Sequence, residues 1–308
     1  MNERYFWVAI IAAVMMWTGN YTYLKSKQLA QPIFLKHYYE IPIEERTPLE
    51  FYYVTNKGDT RTVDGISVNG LHFHSSWDGS MFQHEGPIYK DEYIHHQLRS
   101  LRVEIHEGKL PIERASDNEW SFTEITPSFN ADSGLKQAVD IGYVNLSGKL
   151  PQKPPFKFKL SGSSSNRRSK FEMSAKEALL IEKVEIPLLD EFPGLVEMKV
   201  NAPQVKHPPV KKDPEDHHED LNRPWGKVNG TSIQDIEFPI EIGKDDWVSF
   251  YTEVDDDSKM YLRFNVWIKG TSAEGEAFEI PIHIWDEPHL DQKDINELIS
   301  EQQGGEDR

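Results

Sequence analysis

The chain has no cysteine. That excludes a disulfide scaffold, an iron–sulfur cluster, a cysteine-ligated zinc site and a cysteine nucleophile. Basic charge is also scarce. Lysine and arginine total 34 against 51 acidic residues, a formal net charge of -17 over 308 residues. Phosphate binding needs a net basic surface, so nucleic acid is excluded as the main partner. No glycine-rich phosphate loop, nucleophile elbow or zincin helix is present. Helical periodicity is rare as well. What remains is ordinary folded material, 38% hydrophobic and 28% charged.

The N-terminus carries the strongest positive signal. Phe6 to Trp17 is an unbroken apolar run of twelve residues. It extends less purely through Thr18, Gly19, Asn20, Tyr21, Thr22 and Tyr23 to Leu24. A helix from Tyr5 to Leu24 would be ~30 Å long, enough for one crossing of a bilayer. Tyr5, Phe6 and Trp7 sit at one end, with Trp17, Tyr21 and Tyr23 at the other, as in interfacial aromatic belts. A cleaved signal peptide is the rival reading. Cleavage wants small residues at the last and third-last positions, and neither Gly19 nor Ala30 offers that pair. We therefore expect a single-pass anchor over residues 6–24, with the lipid bilayer as its partner. Lys25, Lys27 and Lys36 follow it, against Arg4 before it, which favours a cytoplasmic body. A very short leading tail and the tolerance of translocation for long C-terminal domains favour an extracytoplasmic one. We expect the body outside the cytoplasm.

The body reads as all-β, built from antiparallel strands. Met260, Leu262, Phe264, Val266 and Ile268 alternate with polar or amphipathic neighbours. Phe278, Ile280, Ile282 and Ile284 do the same, as do Ile236, Phe238, Ile240 and Ile242. Alternation of this kind marks strands with one face buried and one wet. Further strands are expected at 49–55, 61–68, 71–77, 101–107, 120–125, 139–146, 156–161, 182–188 and 196–200. Asn56–Asp59 and Asn69-Gly70 read as hairpin turns, because Asn and Gly tolerate positive φ. Pro239 and Pro281 fall inside strands and so point to edges or bulges. A short acidic helix is expected over 291–302, with a loose tail behind it.

Residues 203–230 hold five prolines and many charges and read as a mobile loop. The resulting organisation is a stalk at 25–37, a β-sandwich domain at 38–130, and a second at 134–288 containing that loop. A helix and tail at 289–308 complete it. Both sandwiches have immunoglobulin-like size.

Candidate chemistry is thin. Six of twelve histidines lie between 72 and 106. His72 and His74 flank Phe73 and project to one face, ~7 Å apart. With His106, and Asp78 or Glu85, they form a candidate metal set. The stretch Gly65, His72, His74, Asp78, Gly86 resembles the first motif of cupins, departing in spacing and in having Asp where that family has Glu. The competing reading is a solvated sheet face. The acidic run Asp213–Asp220 could hold a divalent ion loosely, but charge runs are usually solvated. Gly162–Arg168 reads as a polar hairpin tip that could meet an anion. Trp267 and Trp285 sit where an exposed ring could stack on a sugar. Asn145 and Asn229 begin glycosylation-type tripeptides.

No catalytic constellation emerges, and no cofactor is implied. The sequence therefore favours a non-enzymatic, membrane-anchored sandwich protein binding another protein or a cell-envelope component. The alternatives are a metal-dependent enzyme or metal-binding protein using the His72–His106 cluster, and a cytoplasm-facing docking protein.

Overall fold

A computed structural model describes residues 3–75, 88–113, 118–130, 137–148, 154–187, 192–205 and 219–306. The chain begins with α1 (Glu3–Ser26). The first half continues through β1 (Ile33–Phe34), β2 (His37–Pro42), β3 (Arg46–Asn56), β4 (Val63–Val68), β5 (Leu71–His74), β6 (Ile88–Glu92), β7 (His96–His106), β8 (Glu119–Phe129) and β9 (Val139–Ser147). The second half comprises β10 (Phe156–Ser163), β11 (Arg168–Ala175), β12 (Leu179–Glu185), β13 (Val196–Asn201), β14 (Thr231–Ser232), β15 (Ile240–Ile242), β16 (Trp247–Val254), β17 (Tyr261–Ser272), β18 (Ala277–Asp286) and α2 (Gln292–Glu306).

The strands form three sheets. One is β1-β3-β7-β6, and a second is β10-β11-β16-β13-β14. The third is a nine-stranded sheet, β15-β12-β17-β2-β9-β8-β4-β5, with β18 on the other side of β17. Two separate cores result. Leu49, Phe51, Val103 and Ile105 of the four-stranded sheet pack against Ile66, Phe122, Val144 and Leu146 of the large one. Met198, Val200, Val248 and Phe250 pack against Ile181, Phe264, Val266 and Ile282 in the second half. The large sheet therefore serves both cores.

The link is β2. It runs parallel to both neighbours, pairing His37–Tyr39 with Tyr261–Arg263 of β17 and His37–Pro42 with Gly142–Ser147 of β9. Tyr39 and Ile41 enter the first core, whereas Tyr38 enters the second. At Gly142, φ is +93°, and a Cβ there would overlap the His37 carbonyl and lie 2.9 Å from its nitrogen. Only glycine lets β9 approach β2 this closely.

The structure corrects several expectations. Residues 25–37 are not a free stalk, because Leu29, Ile33, Phe34 and Leu35 are buried in the first core. The boundary expected near 134 precedes β9, yet Ile141, Val144 and Leu146 belong to that same core. Asn69 and Gly70 have positive φ and close the β4–β5 hairpin as expected. The Asn56–Asp59 turn instead carries the chain from one sheet to another, since β3 and β4 do not pair. Much of the proline-rich segment lies outside the described residues. Its end is docked, with Leu221 and Val228 buried against Tyr251 and the Lys199 ammonium donating to the Trp225 carbonyl at 2.6 Å.

α2 returns to the first half. Asp291 caps it, its Oδ1 accepting from the Lys293 and Asp294 amides at 2.6 and 2.9 Å. Asp294 reaches back to the Asp291 amide at 2.9 Å, closing the box. Ile295 is fully buried in the first core, and Lys259 holds the outer face through Glu297 at 2.5 Å and Asp294 at 3.4 Å.

Candidate functional site

Two surfaces stand out, an apolar helix and an aromatic cleft. No residue of α1 is buried. Twelve consecutive apolar residues cover every side of the helix, so it has no polar face to turn to water. Its two threonine hydroxyls bond back to the helix. Thr18 donates to the Val14 carbonyl and Thr22 to that of Thr18, each at 2.8 Å. Trp17 and Tyr21 stack at 5.9 Å. By hydropathy, no helix among the described residues is long and apolar enough to cross a membrane.

The cleft opens where the two halves meet along β2. Its volume is about 170 Å³, and its lining comes from β2, β3, β7, β17 and β18. Tyr52 and Tyr261 stack face to face at 3.8 Å, which fixes β3 against β17. Such a pair is worth ~1 kcal/mol beyond its buried area. Behind them His37 is wholly buried, and its Nε2 accepts the Tyr52 amide proton at 3.0 Å. Burial lowers the His37 pKa to about 3. The ring is therefore neutral, and accepting at Nε2 leaves its proton on Nδ1.

The phenols of Tyr39, Tyr52 and Tyr261 are pushed up, chiefly by burial, and stay protonated. Tyr39 donates to the Glu50 carbonyl at 2.6 Å and Tyr52 to Glu287 Oε1 at 3.1 Å. At the mouth, the Trp285 ring is 66% exposed. The Arg263 guanidinium lies 5.7 Å from its centroid while donating to the Pro48 carbonyl at 2.9 Å. Asp286 closes the floor in an ion pair with Arg167, both side chains 8% exposed. The described lining offers stacking and charged hydrogen bonds, and no nucleophile beside a base.

The candidate histidines lie on two strands bridged at Ser75 and Val103. His72 and His74 are exposed on one face of β5, with Phe73 buried between them, as alternation requires. His106 ends β7, on another sheet and opposite Arg46. Among the described residues no three His, Cys, Asp or Glu side chains come together to hold a metal. Asp78, Glu85 and Gly86, and residues 213–218 of the acidic run, lie outside the described residues.

The arginines of the 162–168 tip are occupied. Arg167 Nε meets the Asp286 carboxylate at 3.0 and 3.1 Å, and its Nη1 donates to the Asp255 carbonyl at 2.6 Å. Arg168 donates to Glu253 at 2.7 Å. Asn145 is buried in β9 and donates to Glu119 at 3.1 Å, so its tripeptide is closed to modification. Sequence reasoning singled out Trp285 but missed the cleft. Its tyrosines and the other lining side chains read as ordinary strand residues.

No family model and no curated protein matches the chain. A solved structure described as "Putative membrane anchored protein from Corynebacterium diphtheriae" aligns with 85% of this chain at 10% identity and a TM-score of 0.22. The alignment covers 60% of that protein's length, under two thirds. At that TM-score the likeness carries no argument.

Proposed function

We propose that the chain is a non-enzymatic, membrane-anchored binding protein. Residues 6–24 embed in and cross the bilayer. The body, two sandwich units of immunoglobulin-like size, meets a protein or cell-envelope partner outside the cytoplasm. The observation that carries this reading is that no residue of α1 is buried, although apolar side chains lie on every side of it. A helix that lies flat on a membrane needs one polar face, and α1 has none along Phe6–Trp17. Thr18 and Thr22 already have carbonyl partners, which lowers the cost of placing them in hydrocarbon, while Asn20, Tyr21 and Tyr23 fall in the last two turns, at the interfacial end. The cleft supplies the binding surface, with Trp285 as its exposed ring.

Ile11→Arg with Val14→Arg tests the anchor. Each arginine costs ~2.5–3.5 kcal/mol at the centre of a spanning helix. The wild-type chain should stay with membranes through alkaline carbonate extraction, and the double variant should be released. Release of the wild-type chain would overturn the reading.

A further inference from the structure

We propose that the turn between β6 and β7 is a second membrane contact, seating Ile94 in the lipid surface beside α1. This rests on the reading of α1 as an anchor. Ile94 is 69% exposed, the most exposed large apolar residue of the described body. An isolated exposed apolar residue needs no explanation, but this one is held out on a built support. The Tyr93 amide donates to the His96 carbonyl at 2.9 Å and closes the turn. The Ile94 amide donates to Gln292 Oε1 at 2.8 Å, and the Tyr93 hydroxyl donates to the Leu290 carbonyl at 3.2 Å. The Lys57 amide donates to the His95 carbonyl at 2.9 Å. The backbone of the tip is thus satisfied from the β3–β4 turn and the start of α2, and the side chain projects from it. Little ordering is left to be done on insertion.

The position of the tip points to lipid. His95 meets the Tyr23 ring edge-on at 5.8 Å, and a His96 ring nitrogen bonds the Lys27 carbonyl at 2.9 Å. Lys27 Nζ lies 5.8 Å from the same tyrosine ring. Ile94 therefore flanks the last turn of α1, at the depth where a tyrosine belt meets headgroups. Lys57, beside His95, is paired with Glu92 at 3.2 Å, and Asp91, Asp291 and Asp294 act on Tyr93, so the contact is apolar and draws on no basic patch.

The absence of native cysteine permits a direct test on the full chain. Ile94→Cys carries an environment-sensitive fluorophore, and Phe158→Cys, also at an exposed position, is the control. Each is reconstituted with vesicles of phosphatidylcholine. The proposal expects co-flotation of both variants. It also expects a blue shift with quenching by lipid-borne quencher at position 94 only. Co-flotation with aqueous emission at position 94 overturns this contact and leaves the anchor standing. Failure to float overturns the anchor, and this contact with it. A shift that follows protein concentration instead of lipid assigns Ile94 to contact between copies and overturns the proposal.

Discussion

His37 shows how one side chain can join three strands. It lies on β2, accepts a backbone proton from β3, and packs its ring within 5.5 Å of Tyr261 on β17. That arrangement works only for a neutral imidazole, and burial lowers its pKa from 6.5 to about 3. The sign of the pH dependence follows. Between those two values the unfolded chain binds a proton at this position and the folded chain does not, so stability falls as pH falls through that window. The loss is on the order of a few kcal/mol when the window is fully crossed. His37→Gln retains a carboxamide oxygen that can accept from the Tyr52 amide, and it does not titrate. Its melting temperature is expected to be lower at neutral pH because the aromatic packing is poorer. It should also fall less steeply than wild type between about pH 7 and about pH 5. Parallel curves would remove His37 as the source of the slope. Arg167 carries a second lesson at this scale. Its neighbours in sequence are polar and suggest an exposed tip, but its guanidinium reaches Asp286 and the carbonyls of the β16–β17 turn.

At the scale of elements, α2 fastens the end of the chain to its beginning. Ile295 is fully buried among first-half residues, and the start of the helix supports the Tyr93–Ile94 turn. Ile295→Ala should lower unfolding free energy by ~2–4 kcal/mol in denaturant titration. A change below ~1 kcal/mol would mean that α2 is not part of the cooperative unit. β18 was legible because it has a buried face and a wetter one, and Pro281 sits on it where it pairs only with β17 among the described residues. β17 alternates in residue type although none of its residues is exposed. β2 was invisible because four of its six residues are buried and the other two half-buried, and a strand buried on both faces does not alternate. β11, Arg168–Ala175, was missed for want of β-branched residues. The turn at Asn56–Asp59 was legible as a reversal, but local turn chemistry does not say which sheet the next strand joins. The cleft was illegible for a related reason. Tyr39 and Tyr52 meet Tyr261 and Trp285 only through contacts between strands more than two hundred residues apart.

At the scale of the whole molecule, the body is tied closely to α1. Leu29 is buried, and Asn56 holds it from both sides, donating to its carbonyl and accepting its amide at 2.8 Å each. With His96 fixed to the Lys27 carbonyl, only Ser26 and its neighbours separate the helix from the core. A body tethered this closely takes its orientation from α1. The flanking charge pulls one way, with Lys25 and Lys27 behind the helix and Arg4 before it. The size of the body pulls the other way, because long C-terminal domains translocate largely regardless of charge. An acidic body adds little to that balance, since Asp and Glu contribute weakly to topology. Length should win, and an external protease should remove a C-terminal tag from intact cells as completely as from lysed ones. Survival of the tag in intact cells, with loss after lysis, would place the body in the cytoplasm. The lysines behind α1 would then be the determinant. Lys25→Gln with Lys27→Gln should in that case move the tag to the protease-sensitive side.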